Sequence, residues 1–110
     1  MHMPDPTRYE LGGIQFTWDT VKYNANVLKH GVTFEEAATT WLDPSAIESF
    51  DAEHSIDEER WFRIAKSLLR GAVLVTWSAS DILKGKDRIR IIGARAATRK
   101  ERRLYEKENR

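Results

Sequence analysis

Three sets of side chains in this chain of 110 residues have the chemistry to meet a phosphate. Lys22, Asn26 and Lys29 recur at i, i+4 and i+7, and His30 follows at once. Arg60 stands directly after Glu58 and Glu59. Arg88 and Arg90 alternate with Ile89 and Ile91, and Arg95 comes two residues after Gly93. Arginine's planar fork suits a phosphate better than lysine's point charge, and histidine can pass a proton near neutrality. This inventory suits RNA cleavage without a metal. A 2′-hydroxyl attacks the adjacent phosphate, a base takes its proton, and cations stabilise the charge on the phosphorane. It suits equally a phosphate-binding module that does no chemistry. Structural roles compete at each position. Lys29 and His30 sit where cations favour a helix C-terminus, Arg60 can pair with a neighbouring carboxylate, and charges on a strand protect a sheet edge.

Other chemistries lack their residues. There is no cysteine, hence no disulfide and no thiolate, which fits a cytoplasmic protein. The turn Asp51 to Glu59 gathers acids around His54, but it has neither calcium-loop spacing nor a zinc-type histidine pair, and it reads as a solvated loop with no metal. No Walker loop, dinucleotide fingerprint or GxSxG elbow occurs, so no cofactor is expected. No apolar run approaches the ~20 residues of a membrane span. The net charge is +1, but residues 84–110 hold 11 Lys or Arg against 4 acids, while residues 1–83 hold 7 against 13. A basic C-terminal quarter can meet a polyanion or be a solvated helix face.

The elements that must position these groups follow from period and punctuation. Residues 1–10 read as a flexible N-terminal arm and 11–110 as a single domain. After the turn at Gly12, residues Ile14, Phe16 and Trp18 alternate as a short strand. Asp19 caps a helix that ends at Gly31, with Val21, Ala25 and Leu28 predicted to face the core. Thr33 and Glu36 make a capping box for a second helix, with Phe34, Ala37, Ala38, Trp41 and Leu42 as its apolar stripe. Asp43-Pro44 stops it. AIESF, RWFRIAK, AVLVTWSAS and RIRIIGAR read as strands, with DILKGKD as a polar hairpin loop. Gly93 marks a possible bulge that would redirect Arg95. A second capping box, Thr98 and Glu101, opens the last helix. The order predicts an α+β domain. Its sheet would be small and antiparallel, with about four to five strands, and the two N-terminal helices and the C-terminal helix would lie on one face. Trp18, Phe34, Trp41, Phe62, Leu74 and Ile91 should share one core.

The succession FTWD, N..KHGVTFEEA, W.DP, EERW and RIRIIGARAAT followed by ERRLYE, from Phe16 to Tyr105, resembles the BrnT toxin family. AVLVTWSAS after Gly71 and the long loop ILKGKD depart from its pattern. The resemblance implies a RelE-like fold and the toxin of a type II toxin–antitoxin pair, a ribonuclease that arrests translation. It implies a BrnA-type ribbon-helix-helix antitoxin as partner, and this antitoxin would make the operator DNA contacts. By motif, the functional positions are Lys29, His30, Arg60, Arg88 and Arg95. Lys29, His30, Arg60 and Arg95 are then the catalytic candidates, and Lys22, Arg88 and Arg90 the RNA or phosphate contacts. The other reading is a non-catalytic homologue that binds the antitoxin and serves as corepressor of its operon.

Overall fold

The computed structural model describes residues 6–83 and 86–109, with their side chains apart from those of 81–83 and 86. The order is β1 (Thr7–Leu11), β2 (Ile14–Trp18), α1 (Thr20–His30), α2 (Phe34–Thr39), β3 (Ile47–Phe50), β4 (Arg60–Lys66), β5 (Val73–Leu83), β6 (Lys86–Ala96) and α3 (Arg99–Glu108). The α+β class and the order of strand, two helices, strands and helix agree with the sequence reading. The six strands form one sheet in the order β1-β2-β6-β5-β4-β3.

The sheet differs from the expected one in three ways. It is mixed, because β2 runs parallel to β6 through Phe16↔Ile89 and Thr17↔Arg90. It gains β1 from the segment read as a loose arm, of which residues 1–5 lie outside the described residues. Tyr9 of β1 packs on Phe16 and Trp18 at ring-centroid distances of 6.5 and 5.6 Å. Gly12 and Gly13, at φ 59° and 80°, supply the left-handed pair that a two-residue hairpin turn requires. Finally, pairing continues through the expected hairpin loop as far as Leu83↔Lys86. Residues 84–85 of that loop lie outside the described residues.

Helices cover both faces of the sheet rather than one. Leu74 and Val75 are consecutive in β5 and both buried, so they point to opposite sides. Leu74 joins Phe16, Trp18, Phe34, Ile91 and Ala94 beneath α1 and α2. Val75 joins Ile64 and Tyr105 beneath α3, with Phe62 and Trp77 packed alongside. The single core expected from sequence is therefore two layers, and Phe62 belongs to the second.

α1 starts where the caps predicted. The Asp19 carboxylate accepts the Lys22 N–H at 3.0 Å, and Gly31 at φ 68° closes the helix. Its predicted apolar stripe faces solvent, with Val21 67% and Leu28 91% exposed. The inward face is carried instead by Tyr23, stacked on Trp18 at 5.8 Å, and by the polar Asn26. In α2 only half of the expected capping box forms. Thr33 Oγ1 accepts the Glu36 N–H at 3.0 Å. The Glu36 carboxylate is instead buried against Arg70, which donates Nε and Nη2 at 2.8 Å each, and Ser67, whose hydroxyl donates at 2.8 Å. Burial alone would raise this carboxyl, but those donors hold it below its ordinary value. In α3 the Thr98–Glu101 box is complete. The Tyr105 hydroxyl donates to Asp43 at 2.8 Å, and burial together with that carboxylate pushes the phenol up to about 12. No helix among the described residues is long and apolar enough to cross a membrane.

Candidate active site

Strand register assembles the arginines. Arg60 of β4 pairs with Ala79 of β5, Ala79 with Arg90 of β6, and Arg90 with Thr17 of β2. The four residues form a row across the sheet, and the small Ala79 leaves a gap between the two guanidinium stems. A cavity of about 590 Å³ opens over this row, lined by Thr17, Lys22, Glu58, Arg60 and Arg90 among others. Thr17 is fully buried, and its hydroxyl has no hydrogen-bond partner among the described residues.

Two smaller hollows adjoin it through shared residues. His54, Arg60, Trp77, Ile92 and Gly93 line one of about 270 Å³. Lys22, Ala25, Asn26, Lys29, His30 and Ile92 line the other, of about 250 Å³. Arg60 belongs to the first and second hollows, Lys22 to the first and third, and Ile92 to the second and third. One uneven cationic trough therefore runs from the end of α1 to β4.

The bulge expected at Gly93 sets which arginines share a face. Trp77 pairs with Gly93 and Ser78 with Ile91, so Ile92 is the extra residue. The insertion restores Arg95 to the side of Arg88 and Arg90. It also lets Ala94 stay on the side of Ile91, where both are buried in one cluster.

Sharing a face does not make the arginines equivalent. Arg95 donates Nη1 and Nη2 to the Glu101 carboxylate at 2.7 and 3.0 Å and lies over Trp77 at 5.1 Å. The Arg95 guanidinium, ahead of an opposing burial effect, holds the Glu101 carboxyl at about 2. Arg95 thus braces α3 and lines none of the three hollows. Arg88 lies one step along β6 from Arg90, in register with Asp81, and likewise lines none of them. Lys29 and His30 are exposed at the end of α1, on the hollow beside Ile92 rather than on the one around Arg60. The structure thus brings Lys22, Arg60 and Arg90 to one cavity, puts Lys29 and His30 at its margin, and sets Arg88 and Arg95 apart.

The loop between β3 and β4, read as a solvated acidic turn, is ordered around its first residue. Asp51 is only 8% exposed. Its Oδ2 lies 2.8 Å from His54 Nδ1, and its N–H donates to the Arg60 carbonyl at 2.9 Å. The Ser55 hydroxyl donates to the Asp51 carbonyl at 2.6 Å and accepts the Arg60 N–H at 2.9 Å. Burial would raise the Asp51 carboxyl, but His54, with a smaller share from the Trp77 indole, holds it below its ordinary value. Further along the loop, Glu58 Oε1 accepts Arg60 Nε at 3.4 Å and also Nη2 of Arg90. Arg60 is therefore paired, as one of its sequence readings allowed, and with a carboxylate that it shares with Arg90. The spacings Asp51-x-x-His54 and Glu58-x-Arg60 were signals of this order. Among the described residues no three His, Asp or Glu side chains cluster as metal ligands would.

No curated protein matches the chain. Residues 18–101 match the family model described as the ribonuclease toxin, BrnT, of type II toxin–antitoxin systems. That span takes in α1, the bulged β6 and every residue of the trough named above except Thr17, and the chain belongs to the BrnT family of ribonuclease toxins.

Proposed function

We propose that the chain is an endoribonuclease that cleaves RNA without a metal, arrests translation, and is silenced by a BrnA-type antitoxin. The observation that carries this reading is the row Thr17, Arg90, Ala79, Arg60, with two guanidiniums and an unpartnered buried hydroxyl at one cavity. A single RNA phosphate fits the spacing logic of such a pair, because each arginine can donate two parallel N–H bonds to its oxygens. Held there, the phosphate gains charge as the 2′-hydroxyl adds to it, and fixed cations stabilise that state more than the ground state. Lys22 extends the positive wall, and Lys29 and His30 extend it along the incoming strand. Arg95 supports the trough by fixing Trp77 and α3.

Silencing needs only that the trough be covered. An acidic or apolar antitoxin segment lying across Arg60 and Arg90 would do so, with charge complementarity directing the encounter. The operator contacts belong to the antitoxin. The corepressor reading draws on one feature, the engagement of both Arg60 and Arg90 by the one Glu58 carboxylate.

One experiment separates the readings. Purified, antitoxin-free protein is incubated with total RNA in excess EDTA, and new 5′ ends are mapped. Discrete new ends in EDTA, abolished by added antitoxin, support the proposal. Ends that require an added divalent ion overturn metal independence, and intact RNA under every condition favours the corepressor.

A further inference from the structure

The loop of residues 51–59 carries the two proton-transfer groups that the ribonuclease reading requires, and the following inference rests on that reading. Arg60 is the shared wall between two hollows. Glu58 lines one of them and His54 the other, so a carboxylate and an imidazole both adjoin one guanidinium. In-line cleavage needs two such groups, because the attacking and departing oxygens lie on opposite sides of phosphorus and each exchanges a proton.

The partners of each group assign its direction. Glu58 is held between Arg60 and Arg90. Its oxygens face the guanidiniums that would hold the phosphate, where an ionised carboxylate can accept the 2′-hydroxyl proton. His54 offers Nδ1 to the buried Asp51 at 2.8 Å. A carboxylate behind an imidazole fixes its orientation and turns Nε2 outward, where the protonated ring has an N–H to donate. The ring is half exposed, with a side-chain exposure of 55%, so substrate can reach it. The loop is not free to swing, since Ser55 ties the Asp51 carbonyl to the Arg60 N–H.

We propose that Glu58 is the general base and His54 the general acid of RNA cleavage, with Asp51 as the positioning residue behind His54. The RNA 2′-oxygen bonds to phosphorus while its proton passes to Glu58. The bond from phosphorus to the 5′-oxygen breaks, and that oxygen takes the proton of His54 Nε2. The products are a 2′,3′-cyclic phosphate and a 5′-hydroxyl, with no oxidant or co-reactant. Water then removes the proton from Glu58 and restores one to His54. The step carries its own electrostatic coupling. As Glu58 accepts its proton it loses the charge that occupied Arg60 and Arg90, and the guanidiniums turn to the phosphorane just as that gains charge.

The leaving group distinguishes the two roles. Purified antitoxin-free protein is assayed on an oligoribonucleotide and on 4-nitrophenyl esters of the four nucleoside 3′-phosphates, whose aryloxide departs without protonation. His54→Gln is expected to slow RNA cleavage by ~10²–10⁴-fold and to leave aryl ester cleavage within about tenfold of the parent. Asp51→Asn should show the same split. Glu58→Gln should slow both substrates by ~10²–10⁴-fold, with thermal melting confirming that each variant folds. Parent-like RNA cleavage by folded His54→Gln or Glu58→Gln, or equal slowing of both substrates by His54→Gln, overturns the assignment and leaves the ribonuclease reading standing. Parent protein that cleaves neither substrate overturns both.

Discussion

Asn26 of α1 grips Ala94 of β6 by both ends of its amide. Nδ2 donates to the Ala94 carbonyl at 2.8 Å, and the Ala94 N–H donates to Oδ1 at 3.1 Å. Nδ2 also donates to the Val32 carbonyl at 3.0 Å. A helix with no fully buried residue is thereby fixed to the sheet, and with it Lys22 and Lys29.

Asn26→Leu leaves these backbone groups without partners in a half-buried place. The expected cost is ~1–3 kcal/mol by urea denaturation. Cleavage should fall as well, because the Lys22 wall of the trough loses its anchor. An unchanged urea midpoint would show that α1 is held by Tyr23 alone.

The Arg95–Glu101 pair predicts an acid-side loss of stability. Arg95 lowers the folded carboxyl from an ordinary value of 4.5 to about 2. A depressed folded value contributes stability above the unfolded value, and that contribution is lost as pH falls through the folded one. The pair's share is thus present at neutral pH and fades between pH 4.5 and about 2. Glu101→Gln should lower stability at neutral pH and flatten the decline across that window, read from melts at a series of pH values. A parallel decline in parent and variant would contradict it.

Arg90 is expected to touch one RNA phosphate. Each phosphate contact to a single strand contributes ~0.7 to the slope of log affinity against log salt. Arg90→Gln, tested by fluorescence anisotropy with a 2′-O-methyl oligonucleotide that cannot be cleaved, should reduce that slope by about 0.7. A weaker affinity with the slope intact would place Arg90 outside direct phosphate contact.

His30 is expected to act at the margin. His30→Ala should melt slightly lower, by the ~0.3–1 kcal/mol that a cation contributes at a helix C-terminus, and slow RNA cleavage by less than about tenfold, against the ~10²-fold or more of a positioned acid or base. A loss of ~10²-fold in a folded variant would return His30 to the centre of the chemistry.

Local signals were legible in the sequence and distant ones were not. The Asp19 cap, the Gly31 stop, the complete Thr98–Glu101 box and the bulge around Gly93 all depend on residues a few positions apart, and the structure has them. The inward face of α1 was read wrongly because a polar clamp to a strand 68 residues away outweighs an apolar stripe. Glu36 left its capping role for Arg70, 34 residues on. Lys22, Arg60 and Arg90 were legible as phosphate-seeking types, but the two arginines meet through the register of β4, β5 and β6, and Lys22 joins them through the parallel seam between β2 and β6, pairings that no short-range pattern encodes. Glu58 and His54 were passed over because a run of acids resembles a solvated loop until Asp51 is seen to be buried within it.

The same parallel seam has a consequence for synthesis. β6 is the last strand among the described residues, yet it lies between β2 and β5 in the sheet. On the ribosome, the β1–β2 hairpin and the β3–β5 meander emerge as separate pieces that lack a common neighbour. Only when Ile89 and Arg90 have left the exit tunnel can β6 join them, and that one event closes the sheet and delivers the second arginine of the trough. Until β6 has emerged, a nascent chain carries Arg60 without its neighbour Arg90. The delay is inherent in so non-local a pairing.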